Sequence, residues 1–133
     1  MIIELLLTLT PLDYQHLAKV VQVEAAPNTA DEFCVAASVL NRVASDRFPN
    51  TVSEVVHAPG QYEGIYTKKS IVPNPKLVER LSSVQGRNSI LLWSEVLNGR
   101  TDYKGQSMLR YRVASEDPMC HPKGNFYHYY WQQ

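Results

Sequence analysis

A surplus of either charge is missing from this 133-residue chain, since lysine plus arginine and aspartate plus glutamate number 13 each. No Lys/Arg-rich run stands out either, so neither an overall field nor a basic patch favours nucleic acid as a partner. Internal repeats, low-complexity tracts and linkers are also lacking. The length suits one domain, which we expect to span residues 1–133 and to carry a single site.

Cysteine is scarce, with only Cys34 and Cys120 in the chain. Two cysteines cannot define a disulfide framework, and Cys34 falls within an apolar helical stretch, where a buried, inert thiol is expected. Cys120 and His121 have no second pair of ligands at a useful spacing, so zinc is not expected. The sequence therefore predicts neither a metal site nor a cofactor.

Hydrophobic runs long enough to cross a membrane are lacking as well. The opening MIIELLLTLT is far too short for a membrane span. It also has no basic beginning, contains Glu4 and shows no small-residue cleavage pattern. We therefore predict that it is not a signal peptide, and that it packs against the core or a partner.

Helix signals dominate the sequence up to residue 99. Thr10, Pro11 and Asp13 supply an N-cap, a proline at the first helical position and a first-turn acid, which predicts a helix to about Ala26. Thr29 followed three residues later by a glutamate matches a capping box for a second helix. Three further helices are predicted, over residues 51–57, 75–85 and 88–98.

Beyond residue 99 the pattern changes to one that favours strands. Residues 107–114 (SMLRYRVA) alternate imperfectly, and residues 124–132 (GNFYHYYWQ) are rich in aromatic side chains with high β-propensity. Two strands that pair across the intervening loop are the simplest assembly. The predicted class is therefore α+β, a mainly helical domain with a small C-terminal antiparallel β-hairpin.

An acidic residue, Glu24, takes an unexpected position in the first long helix. Four apolar residues recur at the spacing of a buried stripe, and the next turn of that stripe arrives at Glu24, so its carboxylate is predicted to point inward. An alternative stays open here, because Pro27 ends the helix and helix ends fray at surfaces. The stripe consists of Tyr14, Leu17, Val20 and Val21.

Two segments of the chain resemble the cell-wall hydrolase family that includes the spore-cortex-lytic enzymes. They are LAKVVQVEAA (residues 17–26) and VAASVLNRVASDRFPNTVSEVVHAPGQY (residues 35–62). The family pattern has a helix ending in Glu-Ala, an Ala-rich helix ending in Leu-Asn-Arg-Val, then Phe-Pro-x-Thr and a Gln-Pro-x-Gln-Phe loop. GNFYHYY is similar to the family's closing segment. The chain departs from the pattern after Glu-Ala, where the family's second glutamate is missing.

The resemblance implies a lysozyme-like domain that cleaves peptidoglycan glycan strands between N-acetylmuramic acid and N-acetylglucosamine, with Glu24 as the catalytic acid. The chemistry agrees, because breaking a glycosidic bond requires an acid that is still protonated near neutral pH. An exposed glutamate has a pKa near ~4.3, and partial burial would raise it. The activity is either that of a muramidase or that of a lytic transglycosylase, which leaves a 1,6-anhydro end. The sequence does not choose between them.

Other residues are candidates to bind the sugar. By the resemblance, Gln61 and Tyr62 match the family's Gln-Phe loop and would line the cleft, although Tyr62 could equally anchor the loop. Tyr127 and Tyr129 would share one face of a strand that could border the sugar. Asn41 and its neighbour Arg42 also match the family pattern, and a scaffold role is favoured for both.

Two other readings compete with that of a glycosidase. The chain could be a non-catalytic peptidoglycan-binding or structural component of a phage tail or lysis apparatus on the same scaffold. An amidase or peptidase would need a metal or Cys/His site, which the sequence does not support. Because no signal peptide is predicted, we expect a phage-encoded enzyme, an endolysin or a virion-associated lysin, with possible phage structural proteins as partners.

Overall fold

The computed structural model describes residues 2–58, Tyr62 and residues 71–98. Every regular element among these residues is a helix, and they include no strand. The helices are α1 (Ile2–Thr8), α2 (Pro11–Glu24), α3 (Asp31–Val43), α4 (Val52–His57), α5 (Pro75–Ser82) and α6 (Val84–Leu97).

The predicted α+β class is therefore wrong, because the regular elements of residues 2–58 and 71–98 are all helices. The hairpin rested on the β-propensity of aromatic residues, a preference that depends strongly on context. In the described part, each helix buries its apolar side against other helices, and this core is completed without a sheet. The two segments predicted as strands, residues 107–114 and 124–132, lie outside the described residues.

Helix α3 is the centre of the described core. All of its 13 residues except Phe33 are buried, and it packs against α1, α2, α4 and α6. Small side chains explain this position, because Ala36 and Ala37 are fully buried and let neighbouring backbones approach closely. Polar residues on α3 are buried as well. Because buried polar groups need hydrogen-bond partners, their partners help to fix the positions of the neighbouring helices.

Helix α2 forms as its sequence predicts, apart from ending at Glu24 rather than near Ala26. All four residues of its apolar stripe are buried. Its N-terminus is a capping box: the Asp13 amide donates to the Thr10 hydroxyl oxygen at 3.1 Å, and the Thr10 amide donates to the Asp13 carboxylate at 2.9 Å. This end of α2 is therefore fixed by local chemistry.

Replacing Thr10 by alanine is expected to lower the free energy of unfolding by about 1 kcal/mol, because the Asp13 amide loses the Thr10 hydroxyl oxygen to which it donates. Urea denaturation of the variant measures the loss. Thr29→Ala is the matched control, because its hydroxyl donates to the Ala26 carbonyl and caps no helix. Equal losses in the two variants would contradict this account of the cap.

The capping box predicted at Thr29 and Glu32 does not form. The N-cap of α3 is Ala30, which makes no side-chain cap. The Glu32 carboxylate instead accepts from Nη2 of Arg80 at 3.1 and 3.2 Å, and Glu32 is only 5% exposed. A charge-assisted hydrogen bond is stronger than a neutral cap, so Glu32 connects α3 to α5.

The boundary between α5 and α6 also differs from the prediction. Ser83 ends α5 in an extended conformation and, as the N-cap of α6, accepts from the Gly86 amide at 3.0 Å. The second helix therefore begins at Val84, four residues earlier than the predicted start at residue 88. Thr51 and Asn74 cap α4 and α5 through their side chains.

The apolar N-terminal segment forms α1. It packs against the core, which was one of two predicted alternatives, the other being packing against a partner. Ile2 and Leu6 are buried, and α1 contacts α3 and α6. Leu7, on the other side of α1, is 73% exposed. Among the described helices none combines the length and the hydropathy that a bilayer span requires.

Cys34 departs from the prediction in its chemistry but not in its burial. Its side chain is fully buried, as expected for a cysteine on the inner face of α3. It is disulfide-bonded, however, so the prediction of an inert thiol is wrong. Periodicity predicts burial, but it carries no information about a covalent partner elsewhere in the chain.

Candidate active site

Glu24 is the last residue of α2 and is half-buried. The fully buried Val20 and Val21 precede it, and Ala25 ends the helix in an extended conformation, with its amide bonded to the Val21 carbonyl at 2.9 Å. The last turn of α2 carries no basic residue. The carboxylate therefore stands at the negative end of the helix dipole, where a negative charge is disfavoured.

Gln22 fastens this end of α2 to the segment that leads into α5. Its side-chain amide donates to the Val72 carbonyl at 3.0 Å, and its side-chain oxygen accepts from the Asn74 amide at 2.7 Å. Asn74 in turn caps α5 through its side chain. The side chain two residues before Glu24 thus makes two hydrogen bonds to the segment that precedes α5. Nothing in the sequence identifies Gln22 for this role, since its partners lie 50 and 52 residues away.

Tyr62 lies against α3. Its hydroxyl is 2.8 Å from the Ser38 hydroxyl, and the Ser38 hydroxyl lies 2.8 Å from the Val35 carbonyl, to which it donates. Since serine has one hydroxyl proton, Tyr62 is the donor in the Tyr62–Ser38 bond. The Arg42 guanidinium carbon stands 4.8 Å from the centre of the Tyr62 ring, within the range of a cation–π interaction.

Ser38 and Arg42 are four residues apart, so they share one face of α3 and hold Tyr62 at two points. Arg42 also stands 5.3 Å from the Phe48 ring centre. These contacts give Tyr62 the anchoring role that the sequence left as an alternative. Contact with a sugar stays a prediction. Sequence reasoning missed Ser38, although its spacing from Arg42 was a signal that could have shown it.

Replacing Tyr62 by phenylalanine is expected to cost about 1 kcal/mol of unfolding free energy, because the hydrogen bond to Ser38 is lost. Ser38→Ala and the double variant complete a thermodynamic cycle in urea. We expect a coupling of at least about 0.5 kcal/mol between the two positions, as for residues in direct contact. Additive losses would contradict the geometry described here.

Asn41 and Arg42 were predicted to serve mainly as scaffold. Asn41 is 5% exposed, and its side-chain oxygen accepts from the Ser94 hydroxyl at 2.6 Å and from Nδ2 of the Asn98 side chain at 3.2 Å. These bonds connect α3 to the C-terminal end of α6. Asn41 therefore acts in packing, through the side chains of Ser94 in α6 and of Asn98, which caps that helix.

The remaining candidates are not all placed by the structure. Gln61, Tyr127 and Tyr129 lie outside the described residues, so their contact with substrate stays a prediction. Within the described part, no group of three or more His, Cys, Asp or Glu side chains is placed to hold a metal ion.

A family model described as cell wall hydrolase matches residues 28–130, which is most of the chain. The protein is thus a hydrolase that acts on the bacterial cell wall. It belongs to the cell wall hydrolase family, and the resemblance found in the sequence is confirmed at that level. No curated protein and no solved structure gives a significant match.

The family match includes some of the candidate site residues and not others. It includes Arg42 and Tyr62 but begins four residues after Glu24, because it starts at residue 28. The role of Glu24 therefore rests on its position and chemistry. The match carries peptidoglycan as the general substrate, whereas phage origin stays a prediction.

Proposed function

We propose that this protein cleaves peptidoglycan glycan strands between N-acetylmuramic acid and N-acetylglucosamine, with Glu24 as the general acid and base. Family membership supports the substrate. The observation that carries the role of Glu24 is its place as a half-buried carboxylate at the C-terminal residue of α2.

Two features of that position favour a protonated side chain. Half-burial removes part of the water that would stabilise a carboxylate. The negative end of the α2 dipole adds to this preference by an amount on the order of 0.3–1 kcal/mol at a helix terminus. A glutamate in such surroundings suits proton donation to a leaving oxygen, as general acid catalysis of glycoside cleavage requires.

The reaction follows from one proton that is given and then recovered. Glu24 protonates the glycosidic oxygen as its bond to the anomeric carbon of the muramic acid breaks. The resulting carboxylate then takes a proton from the attacking group. That group is the muramic acid 6-hydroxyl in a lytic transglycosylase and water in a muramidase, and both pathways return Glu24 to its protonated form.

A single acid is enough for the first of these pathways. Glu32, a carboxylate that could have replaced the missing second glutamate of the family pattern, is bonded to Arg80 and almost fully buried. It is thus engaged in packing α3 against α5. We therefore assign no second acid role to Glu32, and Glu24 alone serves the pathway to the 1,6-anhydro end.

Digestion of purified peptidoglycan in ¹⁸O-labelled water, followed by mass spectrometry of the released fragments, tests this proposal. Transglycosylation predicts muramic acid ends that are lighter by one water and carry no label. Hydrolysis predicts reducing ends that carry one ¹⁸O atom. Intact strands, or released stem peptides with uncut glycan, would contradict glycosidase activity.

A further inference from the structure

We propose that Cys34 and Cys120 form a disulfide that ties the C-terminal aromatic segment to the face of α3 that holds Tyr62, and that cell-wall cleavage depends on this bond. The part that concerns cleavage rests on the function proposed above. The disulfide itself can be tested independently of that function.

The first step is the identity of the partner. Cys34 is disulfide-bonded, and the chain holds one other cysteine, Cys120. Within a single molecule no other pairing is available. Cys34 is fully buried in the middle of the described core, so a bond at this position ties its partner to the centre of the domain.

The second step is the place of Cys34 on α3. Cys34, Ser38 and Arg42 follow one another at intervals of four residues and therefore lie along one face of the helix. One helical turn separates Cys34 from Ser38, about 6 Å along the axis. Ser38 and Arg42 are the two residues that hold Tyr62. The disulfide thus lies next to the anchor of a predicted cleft residue.

The third step is the reach of the chain. The Cα atoms of a disulfide are at most about 6.8 Å apart. Tyr127 and Tyr129 follow Cys120 by seven and nine residues. A fully extended chain covers about 3.6 Å per residue, so the bond keeps both tyrosines within roughly 40 Å of Cys34. Without it, the 28 residues between Asn98 and Tyr127 would allow Tyr127 to lie more than about 90 Å from Asn98.

The chemistry fits the place where a cell wall hydrolase works. Two thiols lose two protons and two electrons as the S–S bond forms, and a disulfide-containing oxidant takes up those electrons by thiol–disulfide exchange. Such bonds persist outside the cytoplasm, where peptidoglycan lies, and are rare inside it. An enzyme that needs this bond would have low activity in the reducing compartment where it is made and full activity where its substrate is found.

Mapping of the full-length protein after oxidation with glutathione disulfide tests the bond. Proteolysis without reductant should yield one linked peptide pair that contains Cys34 and Cys120. Iodoacetamide in denaturant should add no label before reduction and two labels after it. Two labels before reduction, or a disulfide-linked dimer on a non-reducing gel, would overturn the proposal.

Cys120→Ser tests the link to activity, and it avoids a change in the buried core. Its melting temperature should be about 10 °C lower, because the bond closes a loop of more than 80 residues. Solubilisation of peptidoglycan, measured well below both melting temperatures, should fall at least about fivefold. Reductant should slow the parent to the same rate and leave Cys120→Ser unchanged.

A Cys120→Ser variant as fast and as heat-stable as the parent would overturn the tether. Failure of the proposed function gives a different result, because the linked peptides would still be found while neither the parent nor the variant cut glycan. The two failures are therefore distinguishable.

Discussion

Replacing Glu24 by glutamine is expected to slow peptidoglycan solubilisation by about 10²–10⁴-fold, the range that a positioned general acid contributes. The amide keeps the size and shape of the carboxyl group but has no proton to give to the leaving oxygen. Binding to the wall should remain, since the groups around residue 24 are unchanged. The fall in turbidity of a cell-wall suspension measures the rate, and co-sedimentation with the wall measures binding.

Glu95→Gln is the matched control for this variant. Glu95 is also a half-buried glutamate in a helix, and the proposed chemistry gives it no role. Its variant should solubilise the wall at the parent rate. If Glu24→Gln solubilised the wall as fast as an active parent, the catalytic acid would lie elsewhere in the chain. The non-catalytic alternative requires a different result, in which the parent itself releases no fragments.

Replacing Gly86 by alanine is expected to lower the free energy of unfolding by at least about 2 kcal/mol, as overpacking at a rigid contact does. Gly86 lies in the first turn of α6, and a Cβ atom there would overlap the backbone carbonyl oxygen of Arg80. Backbone cannot move aside as a flexible side chain can. The junction between α5 and α6 would therefore have to open.

The expected loss of stability is opposite in direction to the usual effect of such a change. In most helices a glycine-to-alanine change stabilises, by roughly 1 kcal/mol. Gln85→Ala is the control, because Gln85 is the exposed neighbour in the same turn and its replacement should change stability by less than about 0.5 kcal/mol. A Gly86→Ala variant as stable as the parent in urea denaturation would show that the two helices are not in close contact.

Features that depend on neighbouring residues could be predicted from the sequence. The capping box at Thr10 and Asp13 and the buried stripe of α2 are set by residues within a few turns of one another. The arrival of Glu24 at the end of that stripe belongs to the same class. The structure places it half-buried at the last position of α2.

Features that depend on distant partners were not predictable in this way. Glu32 matches a local cap, yet its carboxylate is bonded to Arg80, 48 residues further on. The anchoring of Gln22 and the covalent bond of Cys34 have the same origin, since neither pattern nor propensity carries information about what lies opposite in space. The α+β class was wrong in the described part of the chain for a related reason, because β-propensity depends on context and the core there is completed by helices alone.

The most direct test of Glu24 as the proton donor is a count of new muramic acid ends. Mass spectrometry would compare equal digests of purified peptidoglycan by the parent, Glu24→Gln and Glu95→Gln. We predict abundant new ends with the parent and with Glu95→Gln, and at least about a hundredfold fewer with a folded, wall-binding Glu24→Gln. Equal numbers of ends from all three proteins would contradict the central claim.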